Sequence, residues 1–483
     1  MKQANISNTN RIIEQRIDQS NTKPDQFDLQ KPSLDPEGHS HLSSTLCIEY
    51  LPPELVITNP RNPRNHKHFH IQEVVGSIKA YGFNVPILID ENNQIICGHA
   101  RVLAAKKLGL QKIPVIRIKN LTKHQIKAFA IAENRLVENG DWDKQMLGEI
   151  YLELSLAQID LSVNVTGFST SEIDLMIEGV SDIKSSDDDP ADQAIEQRGP
   201  IISKFGDIWL MGKHRVICGN SLEESTFTLL MNGLKAHMVI SDSPFNVRIK
   251  GHVGGNGAIK HKEFAFASGE MSPSEFIQFL TQAFGLQSKY SVDNSVHYQF
   301  LDWRHLEEFM TAGNAAYHQL INLIVWVKNV GAMGSFYRSR HELILVYVNG
   351  KGPRRNNVQL GKYGRNRTNV WEYPGILTMS KQSEEGNLLA MHPTVKGVAM
   401  IADAILDCTS RGEIVLDAFL GSGTTLMAAE RVGRVCHGIE IEPQYVDVAI
   451  MRWQRLTGES AIHAQSGKTF DQLTQEMGAH HDQ

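Results

Sequence analysis

Val415-Leu416-Asp417-Ala418-Phe419-Leu420-Gly421-Ser422-Gly423-Thr424-Thr425 is the stretch that decides the fold of this 483-residue chain. Its apolar start reads as a buried strand, the two glycines as a tight turn, and Thr424 onward as the beginning of a helix. A further strand closes on Gly438-Ile439-Glu440. A doubly wound α/β sheet builds a nucleoside pocket from these parts: glycines let the backbone approach the ligand, and a later carboxylate takes ribose hydroxyls. Glu440 follows the turn at roughly the 20 residues such a carboxylate needs. No Lys-Thr or Lys-Ser follows the glycines, which argues against a phosphate-cradling loop.

Well upstream, another apolar strand runs into Ser241-Asp242-Ser243-Pro244-Phe245-Asn246. With the glycine turn and several shorter blocks, this segment resembles the amino-methylating DNA methyltransferases of the permuted β arrangement, in which the catalytic motif precedes the cofactor motif. The blocks are Ile217-Cys218-Gly219-Asn220-Ser221, Trp326-Val327-Lys328, Ser339-Arg340-His341-Glu342, Arg367-Thr368-Asn369-Val370-Trp371, His392-Pro393-Thr394-Val395-Lys396 and Gly438-Ile439-Glu440-Ile441-Glu442-Pro443. The likeness runs from about Gly199 to Phe470.

That resemblance implies S-adenosylmethionine as cofactor, double-stranded DNA as partner and an exocyclic base amine as methyl acceptor. The Asp242 carboxylate and the Ser243 carbonyl would each accept one N–H of that amine, Pro244 would keep its predecessor extended, and Phe245 would stack on a flipped base. No covalent enzyme intermediate is needed, because the work is orientation and electrostatics. Asp417, Phe419, Gly421, Gly423, Thr424 and Glu440 are the expected cofactor contacts. By family position, Asn220 is expected near the cofactor adenine and Lys396 near its methionine end.

This chain departs from the family at three places. Ser243 stands where a second proline is usual, and losing that ring loosens the loop by roughly 0.4–1 kcal/mol. Phe245 replaces a frequent tyrosine but keeps the stacking face, and Gly397 stands for a proline. Asp242 as first catalytic residue resembles adenine-N6 enzymes, whereas cytosine-N4 enzymes more often have serine there. Cytosine-N4 methylation, or a DNA-binding adaptor with weakened turnover, stays open at this point.

The net charge of −6 argues against a generally basic nucleic-acid binder, so the distribution of charge carries the argument. Between Phe336 and Val370 stand eight Lys or Arg against the single acid Glu342. Aromatics and amides are interleaved there, as suits phosphate positioning. Arg338, Arg340, Arg354, Arg355, Arg365 and Arg367 are the expected DNA contacts.

Residues 1–44 are polar and expected to be disordered. A compact α+β unit is expected over 45–143, then a helical segment and acidic linker over 144–198. The Rossmann-like methyltransferase domain would take 199–470 and a tail 471–483. Within the first unit Gly98-His99-Ala100-Arg101 resembles the core box of the ParB/sulfiredoxin-like fold, so Gly98, His99 and Arg101 are candidates for an anion site at a helix N-terminus. His99-Ala100-Arg101 replaces the usual Glu-Arg-Arg of partition proteins, and the sulfiredoxin cysteine is lacking, which disfavours hydrolysis and reductase chemistry. The pairing of the two domains resembles enzymes of prophages and other mobile elements.

Five scattered cysteines with no CxxC pair predict reduced thiols and a cytoplasmic setting. No apolar run reaches spanning length, so no membrane partner is expected. His66, His68 and His70 lack converging thiol or carboxylate partners, and no metal is expected. Gly251-His252-Val253-Gly254-Gly255-Asn256-Gly257 reads as a mobile loop. The sequence leaves the oligomeric state open, a homodimer included.

Overall fold

The computed structural model describes residues 46–60, 68–119, 121–138, 141–156, 166–180, 199–246, 269–329, 331, 336–358, 361, 365–375 and 396–481. The expected N-terminal disorder, the acidic linker, the glycine-rich loop at 251–257, His66 and His392 to Val395 lie outside these residues. The chain forms two compact units, Met1–Asp141 and Trp142–Gln483.

In the first unit, β1 (Ile48–Leu51), β2 (Ile87–Ile89), β3 (Ile95–Cys97) and β4 (Ile113–Arg117) form a sheet in the order β1-β4-β2-β3. Its core is small: Ile87, Ile89, Ile95, Val102, Ala105, Ile113 and Val115 pack together with Val56. Gly98, at φ 104°, turns β3 directly into the helix His99–Leu108.

The second unit holds β5 (Ile208–Met211), β6 (His214–Cys218), β7 (Ala236–Ser241), β8 (Ser291–Leu301), β9 (Gln319–Val327), β10 (His341–Val348), β11 (Val370–Glu372), β12 (Ile414–Asp417), β13 (Val435–Glu440) and β14 (Ile462–His463). They make one sheet in the order β11-β9-β10-β8-β7-β12-β13-β6-β5-β14. The strands β8-β7-β12-β13-β6 pair in parallel, so all five point the same way.

Both faces of this sheet are covered, which explains the unbroken apolar runs Met238-Val239-Ile240 and Ile414-Val415-Leu416. Alternation sorts the residues. Ile344 and Val346 face the helices Val398–Cys408, Thr424–Arg431 and Pro443–Thr457, while Leu343, Leu345 and Tyr347 face Pro273–Lys289 and Leu306–Ala316. Phe227, Leu230 and Met231 of the helix Glu224–Met231 cover Ile217, Val239, Leu416 and Ile439. The result is a three-layer α/β architecture.

The helix Thr170–Val180 also belongs to this unit. Its Asp174 is 2 % exposed and receives Arg434 through two bonds, Nη1 to Oδ1 at 3.0 Å and Nη2 to Oδ2 at 2.7 Å. The helix Lys144–Leu156 packs on Thr170–Val180, with Tyr151 against Ile173, Met176 and Ile177, and both fall in the same compact unit as the large sheet.

Candidate functional site

Three neighbouring parallel strands end at one edge of the sheet, and each delivers a predicted residue. β7 leads into Asp242, β12 ends on Asp417 before the glycine turn, and β13 ends on Glu440. A crevice outside the carboxyl ends of such strands is where open α/β sheets bind ligands. Asp242, Ser243, Pro244, Phe245, Lys396, Asp417, Phe419, Gly421, Thr424 and Glu440 all line this one cavity.

The cofactor side is built on backbone. Glu440 accepts from the Gly421 N–H through Oε2 and from the Glu442 N–H through Oε1, both at 2.8 Å. Burial pushes the Glu440 carboxyl up to about 7, against the pull of those amides. Asp417 accepts from Thr425 Oγ1 at 2.6 Å and from the Phe419 N–H at 3.0 Å, and burial likewise pushes it up to about 7. Gly423 does not line the cavity but makes the turn possible. At φ 88° it sits where a Cβ would come within 2.8 Å of Ala449 Cβ. Arg452, which sequence reading missed, holds the turn from behind by donating to the Ser422 carbonyl at 2.7 Å.

The catalytic side is a chain of alternating charges. Lys396 Nζ donates to Asp242 Oδ2 at 2.7 Å and lies 3.3 Å from Glu342 Oε2, while Glu342 Oε1 pairs with Lys328. Lys396 is 6 % exposed and stands over the rings of Phe300, Phe245 and Trp326 at 5.2–5.8 Å. Burial raises the Asp242 carboxyl, and Lys396 opposes that rise. Asp242 Oδ1 is buried and has no hydrogen-bond partner among the described residues. A buried acceptor without a partner is costly, and Asp242 lines the cavity, so its carboxylate is a candidate acceptor for a ligand donor.

Ser243 turns its hydroxyl towards Ser241, 3.4 Å away, and is buried. Its side chain therefore packs inside the protein, while the residue lines the cavity. Phe245 packs edge-on to Phe309 with ring centroids 6.4 Å apart. Asn246, at φ 54°, accepts from the Gly269 and Met271 N–H groups and donates to the Met271 carbonyl at 2.8 Å, which fixes the end of the Asp-Ser-Pro-Phe loop.

Some predicted residues lie elsewhere. Asn220 turns its amide onto its own loop, accepting from Leu222 N–H at 3.0 Å and donating to Glu223 at 3.1 Å, while its neighbours Gly219 and Ser221 line the cavity. Arg365 and Arg367 are corrected from DNA contacts to structural cations. Arg365 is 7 % exposed and pairs with Glu178, Asp403 and Asp407; Arg367 pairs with Asp403 and Asp407 and stacks on Trp371. Arg365 is buried and Arg367 half-buried, and the carboxylates around them already neutralise both, which leaves little charge for phosphate.

Arg338, Arg340, Arg354 and Arg355 are exposed, with Arg355 paired to Glu413 at 3.0 Å. In the small unit Arg101 donates to the Val85 and Pro86 carbonyls at 3.0 and 3.1 Å, so its guanidinium braces a loop, and His99 Nε2 accepts from the Asn59 N–H. No described helix is long and apolar enough to cross a membrane.

Comparison with known proteins matches both units. Residues 236–451 match the family model described as DNA methylase, and residues 37–135 match the ParB N-terminal domain. The chain is 39% identical over 84 residues to the ParB-like nuclease domain-containing protein YnaK of Escherichia coli (strain K12), covering 17% of this chain and 97% of that protein. It is 31% identical over 153 residues to the type II methyltransferase M.ScaI of Streptomyces caespitosus, covering 28% of this chain and 50% of that enzyme. A similar match, 31% over 161 residues, covers 29% of this chain and 42% of the type II methyltransferase M.BglII of Bacillus subtilis. The chain thus spans half or less of each of these two methyltransferases.

Proposed function

The chain belongs to the DNA methylases of the N6/N4 family that carry a ParB N-terminal domain, and from that premise we propose that it methylates the N6 amine of adenine at a specific site in double-stranded DNA, with S-adenosylmethionine as donor. The observation that carries this reading is the open Oδ1 of Asp242 on the wall shared with the glycine turn.

The cavity suits that donor. Its walls include the apolar Ile240, Phe300, Ile401 and Phe419 and the acids Asp242, Asp417 and Glu440. Glu440 and Asp417 are held by amides and a hydroxyl, and Lys396 is balanced by two carboxylates. Such a lining favours ribose hydroxyls and a sulfonium over a polyphosphate. Glu440 would hold the ribose, and the turn from Phe419 to Thr424 would cover the adenosine. Bound there, the cofactor supplies an electrophilic methyl group.

The chain's own residues then have one task, which is to present a poor nucleophile correctly. Asp242 Oδ1 accepts one N–H of the flipped amine, and the Ser243 carbonyl accepts the other. Together they draw the nitrogen towards tetrahedral geometry and aim its lone pair along the line of attack. Phe245 holds the base by stacking, a contact worth about 1–3 kcal/mol. Asp242 also offers an acceptor for the proton the amine loses.

The choice of adenine rests on Asp242 in the first catalytic place. Incubation of the protein with unmodified genomic DNA and labelled S-adenosylmethionine, followed by modified-base sequencing, tests it. Label on adenine N6 within one short motif supports the reading. Label on cytosine N4 overturns the base assignment, and no transfer to DNA overturns the reaction.

A further inference from the structure

Glu342 lies on β10 and Lys328 just after β9, two blocks the sequence marks out without giving either a task. The β9–β10 pairing sets His341 opposite Val327 and so brings both residues to the same end of the hairpin. There they meet Lys396, which precedes the helix Val398–Cys408, and Asp242, which follows β7. Four charges of alternating sign, from four separate elements, end in the one carboxylate proposed to act on the amine.

The Lys396 ammonium is the centre of this chain. Buried and ringed by Phe300, Phe245 and Trp326, it has two carboxylate partners, Asp242 Oδ2 at 2.7 Å and Glu342 Oε2 at 3.3 Å. An ammonium is a point charge on a flexible stem, and a buried one seeks every acceptor in reach. With Asp242 as sole partner it would be free to bridge both carboxylate oxygens, covering the acceptor that the amine needs. Glu342 pulls it to one side. Lys328 in turn pairs with the other Glu342 oxygen.

Resting on the functional reading above, we propose that Glu342 is a positioning residue: through the Lys396 ammonium it holds that cation on Asp242 Oδ2 and keeps Asp242 Oδ1 open for the N–H of the target amine. The groups facing Asp242 are Lys396, Glu342 and Lys328, with Asp417 on the lining of the same cavity. The Glu342 charge raises the proton affinity of Asp242, and the two lysines lower it. Glu342 itself stays ionised, because Lys396 and Lys328 outweigh its burial and hold its carboxyl below the usual range.

Glu342→Gln keeps the side-chain size but removes a negative neighbour, so the Asp242 titration midpoint falls. Lys328→Met removes a positive neighbour, so it rises. Carbon-13 NMR of aspartate-labelled full-length protein reads this directly, with the Asp242 signal assigned by its loss in Asp242→Asn. The expected shifts are about one pH unit, opposite in sign. Single-turnover methyl transfer in Glu342→Gln falls by at least about tenfold, the scale of a misplaced reacting group. Cofactor affinity by calorimetry stays within about twofold, since Glu342 is not on the cofactor side.

A folding defect does not move a midpoint in opposite directions in two variants. An unmoved or upward midpoint in Glu342→Gln, or turnover close to wild type, overturns the assignment. The two readings fail separately. Wild-type protein without methyl transfer, but with the midpoint shifts intact, counts against the functional reading alone.

Discussion

Asp174→Ala removes the carboxylate that ties the helix Thr170–Val180 to the large sheet. Asp174 is 2 % exposed and Arg434 is equally buried, so the truncation leaves a guanidinium without its counter-ion in the interior. Arg434 keeps its bonds to the Thr409 and Val432 carbonyls, which lessens the loss, while Arg411, 3.3 Å from the same carboxylate, loses a partner too. Breaking a buried pair from one side costs about 3–5 kcal/mol. The bidentate geometry and the second cation place this variant in that range. Urea unfolding followed by tryptophan fluorescence gives the number, and limited proteolysis locates the loosened helix. The double variant Asp174→Leu/Arg434→Met leaves no orphan charge and is expected to lose less than either single change. A loss under about 1 kcal/mol in Asp174→Ala, the scale of an exposed pair, would refute the claim that this helix is anchored by buried charge.

Other consequences can be measured in parallel. Glu440→Ala will weaken cofactor binding by a few kcal/mol at most, through lost charge-assisted hydrogen bonds, as read by calorimetry; equal affinity would remove Glu440 from the ribose. The folded Glu440 carboxyl stands at about 7 against 4.5 unfolded, so its protonated form is favoured in the fold. Its contribution is complete below the unfolded value and is lost as pH rises from about 4.5 through 7. That amounts to on the order of 3 kcal/mol, from about 1.4 kcal/mol per unit. In Glu440→Gln this part of the pH dependence of unfolding will disappear, whatever constant loss accompanies it, and an unchanged profile would contradict the assignment. Replacing Arg354 and Arg355 by Gln will flatten the fall of DNA affinity with salt, because fewer counterions are released; an unchanged slope moves the phosphate contacts elsewhere.

How much of this was legible in the sequence depended on how local each signal was. The glycine turn, the strand ends at Asp242 and Glu440, and the Gly98 turn are written within a few residues, and the structure has them in the expected elements. Phe245, Lys396 and Thr424 meet at one cavity because parallel strands carry distant segments to the same edge. Arg365 and Arg367 were misread for the opposite reason. A run of basic residues looks like a surface patch until Glu178, Asp403 and Asp407 arrive from other segments to neutralise two of its members. Asn220 was placed by family position, but its amide closes a turn with residues two and three further on. Glu342 could be quoted as part of a block, yet its use depends on a hairpin register and on Lys396, which no periodicity reveals.

In the proposed reaction Asp242 acts on the target amine and not on the cofactor. Wild type and Asp242→Ala, each loaded with S-adenosylmethionine and given the same genomic DNA, are to be compared by modified-base sequencing alongside cofactor calorimetry. Motif-specific adenine-N6 methylation by wild type, none by Asp242→Ala, and nearly equal cofactor affinity in the two are the expected results. Near-normal methylation by Asp242→Ala would contradict the proposed reaction at its centre.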